Sequence, residues 1–337
     1  MLSIQPLGNT GIETTNLGVG GHLGLLNDSD DPARRQDEGI RTVQRAVELG
    51  VRYFDTSPMY GAREAEEHLG AGLATLDAEL ASKDALDMWS RAADLNEWRE
   101  IIKRLQQPKH EVNIAIVGKY VDLTESYKSL NEALVHGGIA NETRVKLTFV
   151  DSETLPNADL GEVFADVDGI LIPGGFGERG IEGKICALKH ARTASIPCFG
   201  ICLGMQLMVV EYARHVLGLK KANSMEFDVN TPEPVIALMA DQEKIEDMGA
   251  TMRLGAYPCV LAEGSHAERI YARQEISERH RHRYEFNNAY REQLQQAGLT
   301  ISGTSPDAHL VEMVELGEPP WYVGCQFHPE FKSRPTQ

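Results

Sequence analysis

The stretch Ile196 to Gln206, IPCFGICLGMQ, decides the fold. Its apolar run from Ile196 to Ile201 reads as a short buried strand, and it passes without a spacer into a helix continuing Leu203, Gly204, Met205, Gln206 and Leu207. Cys202 stands at the joint. A strand that turns sharply into a helix needs small residues around the turn, and Gly200 and Gly204 flank Cys202 in the spacing of a nucleophile elbow. At a helix N-terminus the unpaired N–H groups and the macrodipole favour negative charge, so the Cys202 thiol is expected to be acidified. The N–H of Leu203 is then free to face an oxyanion. A buried structural cysteine is the ordinary alternative for this residue type; against it, the glycine pair reads as a demand of the turn and not of packing.

The 337 residues, 42% hydrophobic, suffice for two domains or one large one. A net charge of -17 argues against a nucleic-acid partner, which needs a basic face, and equally against an anionic membrane. The five cysteines show no paired spacing and read as free thiols of a reducing cytoplasm. No metal site is expected. The first residues, MLSIQPLGNTG, lack the basic-then-apolar pattern of a signal peptide, and the longest apolar run, Ile196 to Val210, is too short to span a bilayer. A soluble, cytoplasmic protein is expected.

From the N-terminus, Leu7 to Gly11 gives a hairpin signal, Asn16 to Gly21 a strand, Asp37 to Gly50 an amphipathic helix, Val51 to Thr56 a strand and Ala65 to Ala74 a helix. That order is βαβα. The segments LGNTGIETTNLGVGG, AVELGVRYFDTSPMYG and AEEHLGAGLA resemble the opening of the aldo-keto reductases. The resemblance implies catalytic roles for Asp55 and Tyr60, with Lys83 as the candidate for the family's lysine at a shorter spacing from Tyr60 than the family's. A closed barrel needs about 250 residues and eight strands; two strands are recognisable, and neither the family's late histidine nor its cofactor-phosphate loops has a counterpart. Residues 1–83 therefore read as a truncated fragment without reductase activity. An NADPH-dependent reductase stands as a third reading, which a cofactor titration would test.

Residues 84–109 read as a charged helical linker closed by Pro108. Beyond it come a strand at Glu111 to Gly118, a helix near Ser126 to His136, and strands at Val145 to Val150 and Gly169 to Pro173. This rhythm predicts an α/β fold over 110–335: an open, mostly parallel sheet with helices on both faces. Gly175, Gly177 and Gly180 match the spacing of a dinucleotide loop, but the next strand ends at Cys202 where a ribose-binding carboxylate would stand. The glycines serve instead to bring a backbone N–H against a developing oxyanion, an interaction worth about 3 to 4 kcal/mol.

A thiolate nucleophile needs a proton shuttle. The strand Tyr322 to Phe327 delivers His328, Pro329 and Glu330 at its end, and residues i and i+2 of an extended chain face one way, so Glu330 can orient His328. Cys202, His328 and Glu330 then form a nucleophile, base and orienter set.

With these residues in view, Asp84 to Lys332 resembles the C-terminal part of the CTP synthases: a linker and a class I glutamine amidotransferase domain of flavodoxin-like fold. The motifs are VGKYVDLTESYKSLNEAL, PGGFGERGIEGK, GICLGMQLMVVEYAR, NSMEFD, GATMRLG, RHRYEFNN and CQFHPEF. The resemblance implies a Cys202, His328 and Glu330 triad, an oxyanion hole from Gly175 and Leu203, and glutamine held by Gly204, Met205, Gln206, Glu226 and Arg283. Glu226 would face the α-ammonium and Arg283 the α-carboxylate, although His280 to Arg283 also reads as a solvated basic turn. The implied reaction is hydrolysis of L-glutamine to glutamate and ammonia, the ammonia converting UTP to CTP. No G-x-x-x-x-G-K-[ST] phosphate loop occurs here, so ATP and Mg belong to a synthetase domain this sequence lacks. No cofactor is expected in this chain; a separate synthetase chain or a homo-oligomer is the expected partner. The competing reading is a catalytically idle fusion or binding fragment.

Overall fold

The computed structural model describes residues 2–6, 13–21, 23, 31–57, 59–76, 95–119, 124–238, 252–317 and 319–336. The chain divides into two units, Met1–Leu95 and Asn96–Gln337.

In the first unit, β1 (Ile4–Pro6) and β2 (Glu13–Thr15) pair antiparallel, and β3 (Val19–Gly20) pairs in parallel with β4 (Phe54–Asp55) across α1 (Pro32–Glu48). α2 (Glu64–Ala74) follows. Asp31 caps α1 by accepting from the Ala33 N–H at 3.1 Å, ahead of Pro32. The βαβα order read from the sequence is present, with strands two residues long. Leu23, Val43, Ala46, Val51, Phe54 and Leu69 form its buried cluster. Arg35 holds Glu64 through two bonds of 3.2 and 3.1 Å. The hairpin signal at Leu7 to Gly11 and the Lys83 position lie outside the described residues.

The second unit begins with α3 (Asn96–Gln106), β5 (His110–Gly118), α4 (Lys128–Ala140), β6 (Thr143–Asp151), α5 (Leu160–Val163), β7 (Gly169–Ile172) and α6 (Ile181–Ala194). It continues with β8 (Cys198–Ile201), α7 (Leu203–His215), β9 (Ala222–Ser224), β10 (Glu233–Ala237), β11 (Arg253–Leu261), α8 (His266–Tyr271), β12 (Glu275–His282) and β13 (Glu285–Phe286). α9 (Arg291–Gln296), β14 (Leu299–Thr304), β15 (Val311–Leu316) and β16 (Tyr322–Cys325) complete it. Nine strands form one sheet in the order β12-β11-β14-β15-β16-β8-β7-β5-β6. β16, β8, β7, β5 and β6 run parallel, as the alternating rhythm requires, and the other four extend the sheet antiparallel.

Period-two alternation splits the buried residues between two faces. Ala115, Val117, Ile170 and Ile172 join α6 and α7 in one cluster, while Ile116 and Leu171 join Tyr127, Leu130 and Ala267 in the other. Helices therefore cover both faces of the parallel strands, which have no polar side. Among the described residues, no helix is long and apolar enough to cross a membrane.

Strand order positions the site. β7, β8 and β16 are adjacent and parallel, so the Pro173 to Gly180 loop, Cys202 and His328 all leave the same carboxyl edge of the sheet, where ligands of open α/β sheets bind.

Candidate active site

Cys202 sits at φ 52°, ψ -103° between β8 and α7, a conformation that costs a non-glycine residue about 1–3 kcal/mol and is held only by its surroundings. Its N–H donates to the Cys325 carbonyl at 2.7 Å, tying the elbow to β16, and its carbonyl accepts from the Gln206 N–H at 3.1 Å. The flanking glycines answer to packing as well as to the turn, a correction to the sequence reading. A Cβ on Gly204 would stand 2.2 Å from the Ile172 carbonyl oxygen, and one on Gly200 would stand 2.7 Å from the Gly204 carbonyl carbon. Only glycine lets α7 start this close to β7 and β8.

The thiol itself departs from expectation. Cys202 is 3% exposed, and burial pushes its pKa up to about 12. The Leu203 N–H works in the opposite direction, as the helix terminus should, but burial and the charges of Glu330, Glu226 and Glu285 outweigh it. The resting group is a protonated thiol, loosely held by the Arg281 carbonyl at 3.9 Å and by Gln326 Nε2, which points its N–H at Sγ from 3.8 Å.

His328 follows β16 directly. Its N–H donates to the Arg279 carbonyl at 2.7 Å, its ring stacks on Phe331 with centroids 5.1 Å apart, and Nδ1 lies 2.8 Å from Glu330 Oε1. That contact leaves Nε2 as the ring's other proton-handling atom. A Cβ on Gly174 would meet His328 Cε1 at 2.7 Å and Cys202 Cβ at 3.5 Å, so thiol and imidazole flank one bare glycine. Glu330 Oε2 is buried and unpartnered.

Two cavities meet at Cys202. One, about 320 Å³, holds Cys202, His328, Glu330, Gly174 and Gly175. The other, about 330 Å³, holds Cys202, Gly175, Gln206, Glu226 and Arg283. In the second, Glu226 Oε1 accepts from the Gly177 N–H at 2.9 Å; burial raises its carboxyl pKa, opposed by that bond and by the charges of Lys119 and Arg283. Arg283 Nε is buried without a hydrogen-bond partner. A carboxyl group and a guanidinium thus line one slot together with the thiol.

Gln206 lies in that slot but spends its amide on the Tyr284 carbonyl at 2.9 Å and on Gln326 Oε1 at 3.2 Å. Gly204 and Met205 line neither cavity: Gly204 serves the helix approach, and Met205, fully buried, packs on Gly324. Leu203 contributes its backbone, its side chain lying 3.5 Å from the Gly175 Cβ position.

Reasoning from sequence passed over two features and left a third, the run His280 to Arg283, open. Lys119 Nζ donates to the Phe176 and Gly177 carbonyls at 2.6 and 3.2 Å, strapping the glycine loop. Arg281 lines both cavities. The run around it is no solvated turn: β12 alternates exposed and buried residues, with His280 and His282 2% exposed and 2.9 Å apart between Nδ1 and Nε2. Their alternation with arginines was the available signal. In the first unit, Asp55 closes β4, its carbonyl accepting from Gly21 at 2.7 Å, and the Tyr60 ring lies 3.2 Å from a Cβ position on Gly21.

The model of the Glutamine amidotransferase class-I family matches residues 122–337, and that of the Aldo/keto reductase family matches the short segment 23–107. A CTP synthase of Syntrophus aciditrophicus (strain SB) is 59% identical over 254 residues, 75% of this chain and 47% of that protein. One from Aquifex aeolicus (strain VF5) is 56% identical over 252 residues, 75% of this chain and 47% of that protein. The chain thus spans about half the length of these curated relatives. The solved glutaminase domain of Trypanosoma brucei CTPS, with bound acivicin, matches with a TM-score of 0.63 and 41% identity, covering 66% of this chain and 88% of that one.

Proposed function

The chain belongs to the class I glutamine amidotransferases, and from that premise we propose that it is a glutaminase of the CTP synthase type whose nucleophile is Cys202. The supporting observation is the meeting of two half-sites on one sulfur, an imidazole–carboxylate pair with a 2.8 Å contact on one side and a carboxylate–guanidinium slot on the other.

Glutamine lies in the slot with its α-ammonium at Glu226 and its α-carboxylate at Arg283. Its side-chain amide reaches Cys202. A thiol held up to about pKa 12 is unreactive until the amide arrives, so Sγ gives its proton to His328 Nε2 as it attacks the amide carbon. Glu330 holds Nδ1 and stabilises the imidazolium. The tetrahedral oxyanion is met by the N–H groups of Gly175 and Leu203. Collapse breaks the C–N bond, His328 returns the proton to nitrogen, and ammonia leaves a thioester. Water, deprotonated by His328, attacks the thioester, and glutamate leaves with the thiol restored. Ammonia then serves amination of UTP in a synthetase domain or chain, in pyrimidine nucleotide biosynthesis.

Glutamate release from L-glutamine tests this. Cys202→Ala is expected to cut the rate by about 10³-fold or more, and an unchanged rate sinks the assignment. A second reading, an idle binding fragment, draws on the burial and high pKa of the resting thiol. Calorimetric binding of glutamine without turnover favours it.

A further inference from the structure

Lys184 is the largest charged side chain with essentially no exposure in this unit, 1% of its surface being accessible. It lies on α6 in the first turn after the glycine loop. Its Nζ is 4.0 Å from the point where a Cβ on Gly175 would begin, a point that lies 3.5 Å from Leu203 Cδ2. Among the described residues no carboxylate comes within ion-pairing distance of it, whereas Glu211, Glu285 and Glu312, three of the buried carboxyl groups of the second unit, have Arg192 or Arg253 beside them. An ammonium buried without a counter-ion carries a large desolvation cost. The titratable groups that act on it are Lys119, at the end of β5, and Cys202, at the start of α7. Lys119 repels it and is itself spent on the Phe176 and Gly177 carbonyls.

We propose that Lys184 is a positioning and charge-balancing residue of this site: its ammonium is the counter-ion of the negative charge that forms on Cys202 Sγ and then on the tetrahedral oxyanion beside Gly175. At rest, burial and Lys119 bring its pKa down to about 7, so near neutral pH it exchanges a proton with solvent, and the form protonated from solvent is the one that accompanies the negative sulfur. When the sulfur becomes negative the pair is favourable, because opposite charges in a dry site attract far more strongly than in water. No covalent step passes through Lys184. Proton transfer remains with His328. The inference rests on the glutaminase reading but is separable from it, because thiol alkylation and lysine titration need no turnover.

Lys184→Met keeps the side chain's length and removes its charge; Lys189→Met, at an exposed position of the same helix, is the control. In the full chain, the rate of Cys202 alkylation by iodoacetamide at pH 6.5, where Lys184 carries its charge, is expected to fall at least fivefold in Lys184→Met and to stay put in Lys189→Met. With glutamine, kcat is expected to fall at least tenfold with KM changed less than threefold. Should Lys184→Met fail to fold, Cys202→Asp supplies the test by placing a fixed carboxylate in the thiolate's position. Lys184, followed by ¹⁵N resonance of its Nζ, is then expected to titrate at least one unit higher than in the wild type. An alkylation rate at pH 6.5 unchanged in Lys184→Met, or a Lys184 titration unmoved in Cys202→Asp, overturns the proposal. A lowered rate in a chain that does not hydrolyse glutamine would uphold the charge pair and remove the glutaminase.

Discussion

The two units begin from the same grammar and end differently. Both read as strand, helix, strand, helix, and both place an acidic or nucleophilic residue at a strand's end: Asp55 as the last residue of β4, Cys202 just after β8. In the first unit the parallel ladder is two residues long, Val19 opposite Phe54 and Gly20 opposite Asp55, over a six-member buried cluster. In the second, β8 lies between β7 and β16, whose ends deliver a glycine loop and an imidazole to the sulfur. A reactive residue becomes a site only where adjacent parallel strands bring partners to the same edge. Among the described residues, Asp55 has Tyr60 in its neighbourhood through Gly21 and no comparable assembly, and Lys83 lies outside them.

This contrast can be broken most forcefully at the base. His328→Asn is expected to lower kcat for glutamine hydrolysis by about 10³-fold or more, and Glu330→Gln, which keeps the shape but not the charge, by about 10²-fold with KM nearly unchanged. Steady-state kinetics on both variants decides it. If either retains wild-type kcat, the strand-edge assembly is not what makes the second unit active.

A sharper version concerns glycine. At Gly204 an added methyl meets a backbone oxygen at 2.2 Å, which cannot yield; at Gly70, on an open face of α2, it meets nothing within 4 Å. Calorimetric unfolding is expected to show Gly204→Ala destabilised by about 3 kcal/mol and Gly70→Ala stabilised by about 0.5–1 kcal/mol. Equal effects would mean that α7 does not need its close start on β7.

The units should also part in acid. Burial and the charges of Arg253 and His328 push His280 down to about 3, and burial with His280 and Arg253 pushes His282 well below 6.5. The unfolded chain protonates both near 6.5 and the folded chain does not. The stability they contribute is therefore complete above about 6.5 and is lost as pH falls from there toward 3, at up to about 1.4 kcal/mol per unit for each ring. Urea unfolding of the wild type at pH 7.5 and 5.5, beside His280→Gln, is expected to show the smaller acid loss in the variant. An equal loss removes this account of β12. The smallest expected effect is none at all: Asp55→Asn and Tyr60→Phe should leave glutamine hydrolysis within twofold of wild type, and a larger fall would give the first unit a part in the site.

The elbow, the parallel strands and the histidine–glutamate spacing were legible because each is local: an apolar run, a glycine pair, an i, i+2 relation. The antiparallel extension was not. β12, EISERHRH, hides its inward face behind polar residues: Glu278, His280 and His282 are buried. What makes that tolerable is far away in sequence, Arg253 contacting Glu285 at 3.2 Å and Glu312 at 2.9 Å. Hydrophobic periodicity cannot register a polar interior. The thiol's pKa was misread for a related reason. Its helix terminus is a neighbour in sequence, whereas the burial that overrides it brings in residues far along the chain, Cys325 and Arg281 among those it touches. Lys184 escaped notice because a lysine in a first helical turn reads as solvated until the loop and α7 close over it.

If one sulfur joins the two half-sites, covalent trapping reads it out most directly. Incubated with a chloroketone analogue of glutamine and digested for mass spectrometry, the protein is expected to carry the label on Cys202 alone among its five cysteines, with excess L-glutamine preventing it. Label on another cysteine, or labelling of Cys202 that glutamine does not slow, would contradict the account.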